Sequence, residues 1–188
     1  MSKRYRMPGG ISPRMVKAII GGVVALLAGV LAIKNPAVPQ QEVSVTGGEY
    51  YRVAYVNDGD TIKLDNGERV RLIGIDTPES RDNPKLERDV KRTKKDKDVL
   101  LAMGRQAAVF SKKLLSNQRV RLEFDVERHD RYGRLLAYVY LADGSFVNEK
   151  IIREGYAYPM TVPPNVRYAD DFKQWFDEAR ENKRGLWK

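Results

Sequence analysis

Residues 50–76 read YYRVAYVNDGDTIKLDNGERVRLIGID, and apolar side chains alternate with polar ones along much of this stretch. Two turn signals, Asp58-Gly59 and Asn66-Gly67, divide it into three short segments. Alternation with a period of two predicts half-buried strands, and pairs of this kind favour tight hairpin turns. We therefore predict a three-stranded meander, with strands at 50–57, 61–64 and 69–75.

The chain after the meander adds strands and helices in an informative order. Apolar residues at three- and four-residue spacing predict an amphipathic helix from Val99 to about Asn117. Further strands are predicted at 119–126 and 134–141, and further helices at 146–154 and 168–183. Five strands with a helix between the third and fourth are the order expected of an OB-fold. The predicted fold class is therefore α+β, a five-stranded OB-fold β-barrel with about three helices.

Residues 80–98 are dominated by charge, with eight basic and five acidic side chains. Such a segment has few apolar residues with which to bury a face. We predict a long solvated loop or a frayed helix here.

The N-terminal segment has a different character. Residues 1–34 hold six basic and no acidic side chains, and Ala18 to Ile33 is a run of 16 residues without a charged or polar side chain. A helix of this length spans roughly 24 Å, slightly short of the ~30 Å bilayer core, and Met15 and Val16 lengthen it to a marginal span. We predict a transmembrane signal anchor at 1–34, a linker at 35–48 and a folded domain at 49–188. Because basic residues precede the apolar run, the folded domain is placed outside the cytoplasm, and secretion after signal cleavage is the alternative.

Composition limits the available chemistry. The 188 residues include no cysteine and one histidine, which excludes disulfides, thiolate nucleophiles and cysteine zinc sites. The formal net charge is +9, but the N-terminal segment contributes two thirds of it, so total charge is a weak indication of a polyanionic partner. Any catalysis must use carboxylates, arginines, lysines, hydroxyls or a hard metal ion.

Acidic residues and an arginine fall at one end of the predicted meander. Asp60, Asp76 and Glu79 lie at strand ends, with Arg71 on the third strand. Each acid taken alone is more simply explained as a turn or cap residue. Arg71 and Asp76 have opposite parity along the strand, so a bend is required to bring them together, and we place it at Gly74.

Three segments carry a resemblance to a known family. Residues 58–64 read DGDTIKL, residues 71–79 read RLIGIDTPE, and residues 130–134 read DRYGR. In order and approximate spacing they resemble the signature segments of the staphylococcal nuclease (thermonuclease) family, over residues 50 to about 187. The resemblance implies an OB-fold and a calcium-dependent nuclease that hydrolyses phosphodiester bonds of DNA and RNA.

The resemblance also implies roles for individual residues. Asp60 and Asp76 bind Ca²⁺ through their carboxylates and Thr77 binds it through its carbonyl. Glu79 is the general base, and Arg71 and Arg134 contact the scissile phosphate. Candidate nucleic-acid-binding residues are Arg131, Tyr132, Tyr156 and Tyr158.

A second class of function is compatible with the same fold. OB-folds also serve as non-catalytic modules that bind nucleic acid or protein. For the folded domain we expect a monomer with DNA and RNA as substrates, no obligate protein partner and membrane attachment through the N-terminal helix.

Overall fold

The computed structural model describes residues 48–188. The predicted transmembrane or signal helix, and the linker as far as residue 47, lie outside the described residues. Within 48–188, no helix has both the length and the hydropathy that a membrane span needs. The strands are β1 (Tyr50–Val56), β2 (Thr61–Leu64), β3 (Arg69–Leu72), β4 (Gly74–Asp76), β5 (Arg119–Glu123), β6 (Leu135–Leu141) and β7 (Tyr158–Met160). The helices are α1 (Pro84–Thr93), α2 (Lys97–Leu115), α3 (Val147–Arg153) and α4 (Ala169–Glu181), followed by a 3₁₀ turn at Gly185–Trp187.

Five strands close into a barrel in the order β1-β2-β3-β6-β5. The predicted meander forms the antiparallel pairs β1–β2 and β2–β3. Strand β6 runs parallel to β3 and antiparallel to β5, and β5 closes the barrel by pairing antiparallel with β1. The predicted five-stranded OB-fold barrel of α+β class is confirmed. The part of the chain described has four α-helices rather than about three.

The barrel interior is filled by the apolar side chains that alternate with polar ones along the strands. Residues such as Ile62, Val70 and Val139 are almost completely buried there. Helices α3 and α4 pack against one another, α3 contacts β6, and Phe172 of α4 joins the same core. Burial of apolar surface holds the strands in place, so the polar side chains at their ends are presented from a rigid frame.

The predicted strand at 69–75 is divided in two. Gly74 has a φ of +83°, and this break turns the chain away from the barrel, so that β4 pairs with β7 instead. The buried side chain of Asn148 supports the bend, because its Nδ2 donates to the carbonyl of Ile73 at 2.8 Å and its Oδ1 accepts from the N–H of Val139 at 3.0 Å. The bend occurs where the sequence indicated it.

Of the two alternatives predicted for residues 80–98, the long solvated loop was wrong, because most of this segment is helical. Helix α1 begins after Asn83, whose side chain accepts hydrogen bonds from the backbone N–H groups of Lys85 and Leu86 at 2.9 Å. Leu86 is completely buried and packs with Leu100 and Met103 of α2 in a second, smaller core. Val90 of the same helix also packs against this core, as do Leu186 and Trp187 of the C-terminal turn. Two apolar side chains and an asparagine N-cap fix this helix, because α2 and the C-terminal turn supply the rest of the buried surface.

Candidate active site

Arg71 joins the two aspartates predicted to act together. Its Nη1 lies 3.3 Å from Asp60 Oδ1, and its Nη2 lies 3.1 Å from Asp76 Oδ1. The same guanidinium donates through Nη1 to the carbonyls of Leu72 and Ile75 at 2.9 and 2.7 Å. A planar group with several donors can hold two carboxylates and two carbonyls at once.

Asp60 is buried, and the start of the loop after β4 surrounds it with donors. Its Oδ2 accepts from the backbone N–H of Thr77 at 2.7 Å and from the Thr77 hydroxyl at 2.9 Å. Burial would raise the pKa of Asp60, but the Arg71 guanidinium and the Thr77 N–H together hold it below its ordinary value. Asp60 is therefore ionised at neutral pH.

Two further carboxyl groups share this environment. Burial, aided by the nearby Asp60 charge, raises the pKa of Asp76 despite the cations that contact it. Burial and the Asp60 carboxylate also raise the pKa of Asp58 to about 6. Asp58 was treated as a turn residue in the sequence. It does lie in a bend, and its Oδ1 accepts from the backbone N–H of Asp60 at 3.2 Å, which keeps its carboxyl group close to Asp60.

Lys85 was not anticipated from the sequence. Its Nζ lies 3.1 Å from Asp76 Oδ1, 2.7 Å from Glu79 Oε1 and 3.1 Å from the Thr77 carbonyl. Burial would lower the pKa of Lys85, but Asp76 and Glu79 raise it above the ordinary value, so the group carries its charge. Asn83 donates to the other oxygen of Glu79 at 2.6 Å, so both Glu79 oxygens are engaged.

Arg134 reaches the cluster from the other side. Its Nε donates to Asp130 at 2.7 Å, and its Nη1 lies 3.4 Å from the Thr61 hydroxyl, which in turn lies 3.2 Å from Asp60 Oδ1. A turn at 130–133 therefore sets the position of this second guanidinium. The structure brings Asp60, Arg71, Asp76, Thr77, Glu79 and Arg134 into one connected network.

A cavity of about 470 Å³ adjoins the two arginines. Arg71 and Arg134 line it together with Arg131 and Tyr132 from the turn. Tyr132 is 59% exposed, and Arg131 stacks on its ring. The apolar part of the wall includes Leu136, Met160 and Val162. The cavity thus offers cations and an aromatic ring beside an apolar surface.

Tyr156 and Tyr158, the remaining predicted nucleic-acid contacts, do not line this cavity. Tyr156 stacks on Phe110 of α2, with ring centroids 4.3 Å apart. Tyr158 packs edge-on against Trp187 and is tilted against Phe176. Strand β7 carries Tyr158 toward α4, so its ring serves the packing of the C-terminal elements.

The predicted metal ligands supply hard oxygen donors, which suit calcium. Asp76 and the Thr77 carbonyl already surround one cationic group, the Lys85 ammonium, together with Glu79. Asp60 faces Thr77 and Arg71 instead. Within 48–188, no group of three acidic or histidine side chains is arranged to hold a metal ion. The donor types fit calcium.

These features define the class as an OB-fold protein with a buried acid–arginine network beside a cavity. Residues 69–188 match the family model described as staphylococcal nuclease homologue. The chain is 44% identical over 143 residues to a thermonuclease of Staphylococcus intermedius, covering 74% of this chain and 77% of that one. It is 33% identical over 181 residues to a thermonuclease of Staphylococcus hyicus, covering 92% and 99%. It is 39% identical over 135 residues to endonuclease YncB of Bacillus subtilis, covering 69% and 57%. The chain belongs to the staphylococcal nuclease family.

Proposed function

We propose that this protein is a calcium-dependent nuclease that hydrolyses phosphodiester bonds of both DNA and RNA. The observation that carries the proposal is the network in which Arg71 joins Asp60 to Asp76 while Arg134 approaches through Thr61. Family membership and thermonuclease relatives support it. In this proposal the arginines and carboxylates bind the phosphate and the metal ion, and none of them contacts the sugar. Such a site is compatible with both DNA and RNA.

Asp60, Asp76 and the Thr77 carbonyl are the residues that would hold the calcium ion. When bound, the ion would supply positive charge that stabilises the developing negative charge on the phosphate. The pKa of Asp60 lies below its ordinary value, which keeps one ligand ionised without the ion.

Arg71 and Arg134 orient the scissile phosphate in this proposal. Both guanidiniums line the cavity, and carboxylates fix both, so little reorganisation is needed when an anion arrives. Glu79 takes a proton from the attacking water at its carboxylate. The apolar wall and Tyr132 accommodate a base next to that phosphate, since base stacking on an aromatic ring tolerates any sequence.

The full-length chain in mild detergent, incubated with single-stranded DNA and with RNA, tests this proposal. We expect cleavage of both in calcium and loss of cleavage in a calcium chelator. Binding without cleavage in calcium would favour the non-catalytic OB-fold module instead. Cleavage that persists in chelator would contradict the role of calcium.

We further propose that the N-terminal segment holds the domain at the outer face of a cytoplasmic membrane. The basic residues before the apolar run support this orientation. The intact mass of the protein extracted from membranes tests it. The full-length mass is expected, whereas a shortened protein in the medium would show signal cleavage and secretion.

A further inference from the structure

The ammonium of Lys85 lies among oxygen atoms that the proposed function assigns to the reaction. The Thr77 carbonyl and Asp76 Oδ1 are both 3.1 Å from Nζ, and Glu79 Oε1 is 2.7 Å away. Two of these groups are proposed calcium ligands and the third is the proposed base. The lysine side chain is 29% exposed, so its charge is partly withdrawn from water.

Carboxylates gathered in this way repel one another unless a cation lies between them. Asp76 and Glu79 both contact Lys85, whereas Asp60 is linked to Asp76 through Arg71, which makes no salt bridge to Glu79. Lys85 supplies the positive charge on the Glu79 side. Because Nζ lies within 3.1 Å of an oxygen of each group, its charge offsets the repulsion between Asp76 and Glu79.

We propose that Lys85 is a built-in cation that occupies the divalent-ion site of the metal-free protein and leaves when calcium binds. This inference rests on the proposed function, because it needs calcium to bind at Asp76 and Thr77. Its consequence is that Lys85 lowers the apparent affinity for calcium. It also blocks one oxygen of Glu79, so the metal-free site is restrained from acting as a base.

Helix α1 provides a place for the displaced ammonium. Asp89 lies one turn further along α1, and its Oδ2 is 3.9 Å from Lys85 Nζ. Side chains four residues apart on a helix face one another, so rotation about the lysine side chain brings the ammonium to Asp89 without any change in the backbone. Asp89 is thus the acceptor group for Lys85 in the calcium-bound state.

Calorimetric titration of calcium into the full-length protein in detergent, without substrate, tests the proposal. We expect Lys85→Met to bind calcium ~10-fold more tightly than the wild type, because the competing charge is gone. Without calcium, the variant is expected to melt at a lower temperature than the wild type, and calcium is expected to raise its melting temperature by more. Lys85→Gln, which keeps a polar side chain, is expected to behave in the same way.

Lys97→Met is the matched control. Lys97 belongs to the same charged segment but pairs with Asp82 at 2.6 Å. Removing it changes the net charge by the same amount, and we expect less than a ~2-fold change in calcium affinity because solvent screens distant surface charges. An equal increase in calcium affinity in Lys85→Met and Lys97→Met would show that only the net charge of the protein matters. That result would overturn the proposal.

The remaining outcomes are distinct. Calcium binding in the wild type with unchanged or weaker affinity in Lys85→Met would overturn this inference and leave the proposed function intact. No calcium binding in either protein would overturn the proposed function and this inference with it. Asp89→Asn should weaken calcium binding in the wild type more than in Lys85→Met, and equal effects in both backgrounds would contradict the role of Asp89 as acceptor.

Discussion

Arg71 organises the site through several donors at once. It bridges Asp60 and Asp76 and also binds two carbonyls, and its side chain is only 13% exposed. A lysine ammonium carries the same charge but lacks the planar array of donors that reaches all four groups. The geometry of the guanidinium, and not its charge alone, therefore keeps the two aspartates at one place.

Arg71→Lys should accordingly lower kcat/KM for DNA cleavage by about 100-fold, the usual effect of losing one well-placed donor at a reacting phosphate. Steady-state cleavage in saturating calcium measures this. Arg119→Lys is the control, since Arg119 is exposed at the start of β5 and stacks on Tyr50. Wild-type activity in Arg71→Lys would show that a positive charge at this position is enough for cleavage and that the geometry of the guanidinium is not needed.

Asp130 has a similar positioning role at the turn that carries Arg134. Burial would raise the pKa of Asp130, but the backbone N–H and guanidinium of Arg134, with the N–H of Tyr132, hold it below its ordinary value. A carboxyl group with a depressed folded-state pKa stabilises the fold above its unfolded pKa of about 3.9, and the contribution is lost as pH falls through the folded pKa.

We expect Asp130→Asn to be less stable than the wild type by about 1–2 kcal/mol between about pH 5 and pH 8. The difference should narrow below about pH 4, where the wild-type carboxyl group also becomes neutral. Urea unfolding across this range measures it. A stability difference that grows toward acid pH would contradict a depressed pKa for Asp130.

The break between β3 and β4 is the element that makes the site possible. On a continuous strand, Arg71 and Asp76 would point to opposite faces, whereas the bend at Gly74 lets them meet at 3.1 Å. The left-handed φ of Gly74 favours glycine, and a Cβ added there would lie 1.9 Å from the ring of Phe172.

Gly74→Ala should therefore destabilise the protein by about 2–4 kcal/mol, from backbone strain and overpacking together. Gly67→Ala is a matched control, because Gly67 also has a positive φ of 92° but a Cβ there meets nothing within 4 Å. It should cost about 1 kcal/mol from strain alone. Urea unfolding measures both, and equal losses would show that the contact with Phe172 is unimportant.

Elements that depend on a local sequence pattern, such as alternating apolar residues or a turn pair, could be predicted from the sequence. Alternation and turn pairs predicted the meander, and the parity conflict between Arg71 and Asp76 predicted the bend. Helix α1 was anticipated only as a frayed helix, one of two alternatives, because its stability depends on Leu86 and Val90 packing into a core shared with α2, a contact between segments that periodicity does not reveal. Strand β7 was missed for the same reason, since it forms only by pairing with β4.

The residues of the site likewise separate into those that a local pattern predicts and those that depend on contacts between distant segments. The grouping of Asp60, Arg71, Asp76 and Glu79 could be predicted because they fall near one end of an anticipated meander, whereas the roles of these residues and of Arg134 came from the family resemblance. Lys85 could not, because it lies on α1, in the segment that was expected to be solvated. Tyr156 and Tyr158 were suggested by a loose likeness, and the packing of α2 and α4 against them could not be inferred from spacing.

In the complete domain, the barrel and the helices added to it position different residues of the site. The barrel fixes Asp60 and Arg71 on hairpin strands, while α1 and α2 close over the other side and place Lys85 and Asn83 against Glu79. Gly104 of α2 packs so closely that a Cβ there would lie 2.1 Å from the Glu79 carbonyl. The position of Glu79 therefore depends on α1 and α2, and Lys85 connects Glu79 to Asp76.

We propose above that this site hydrolyses phosphodiester bonds and that Glu79 is the general base that takes a proton from the attacking water. The most direct test is single-turnover cleavage of labelled single-stranded DNA by full-length Glu79→Gln in saturating calcium, with substrate affinity measured in parallel. Glu87→Gln is the control, since Glu87 is an exposed acid on α1. We predict a fall in cleavage rate of about 10²- to 10⁴-fold with affinity retained. Cleavage by Glu79→Gln at the rate of the wild type and of Glu87→Gln would contradict this role of Glu79.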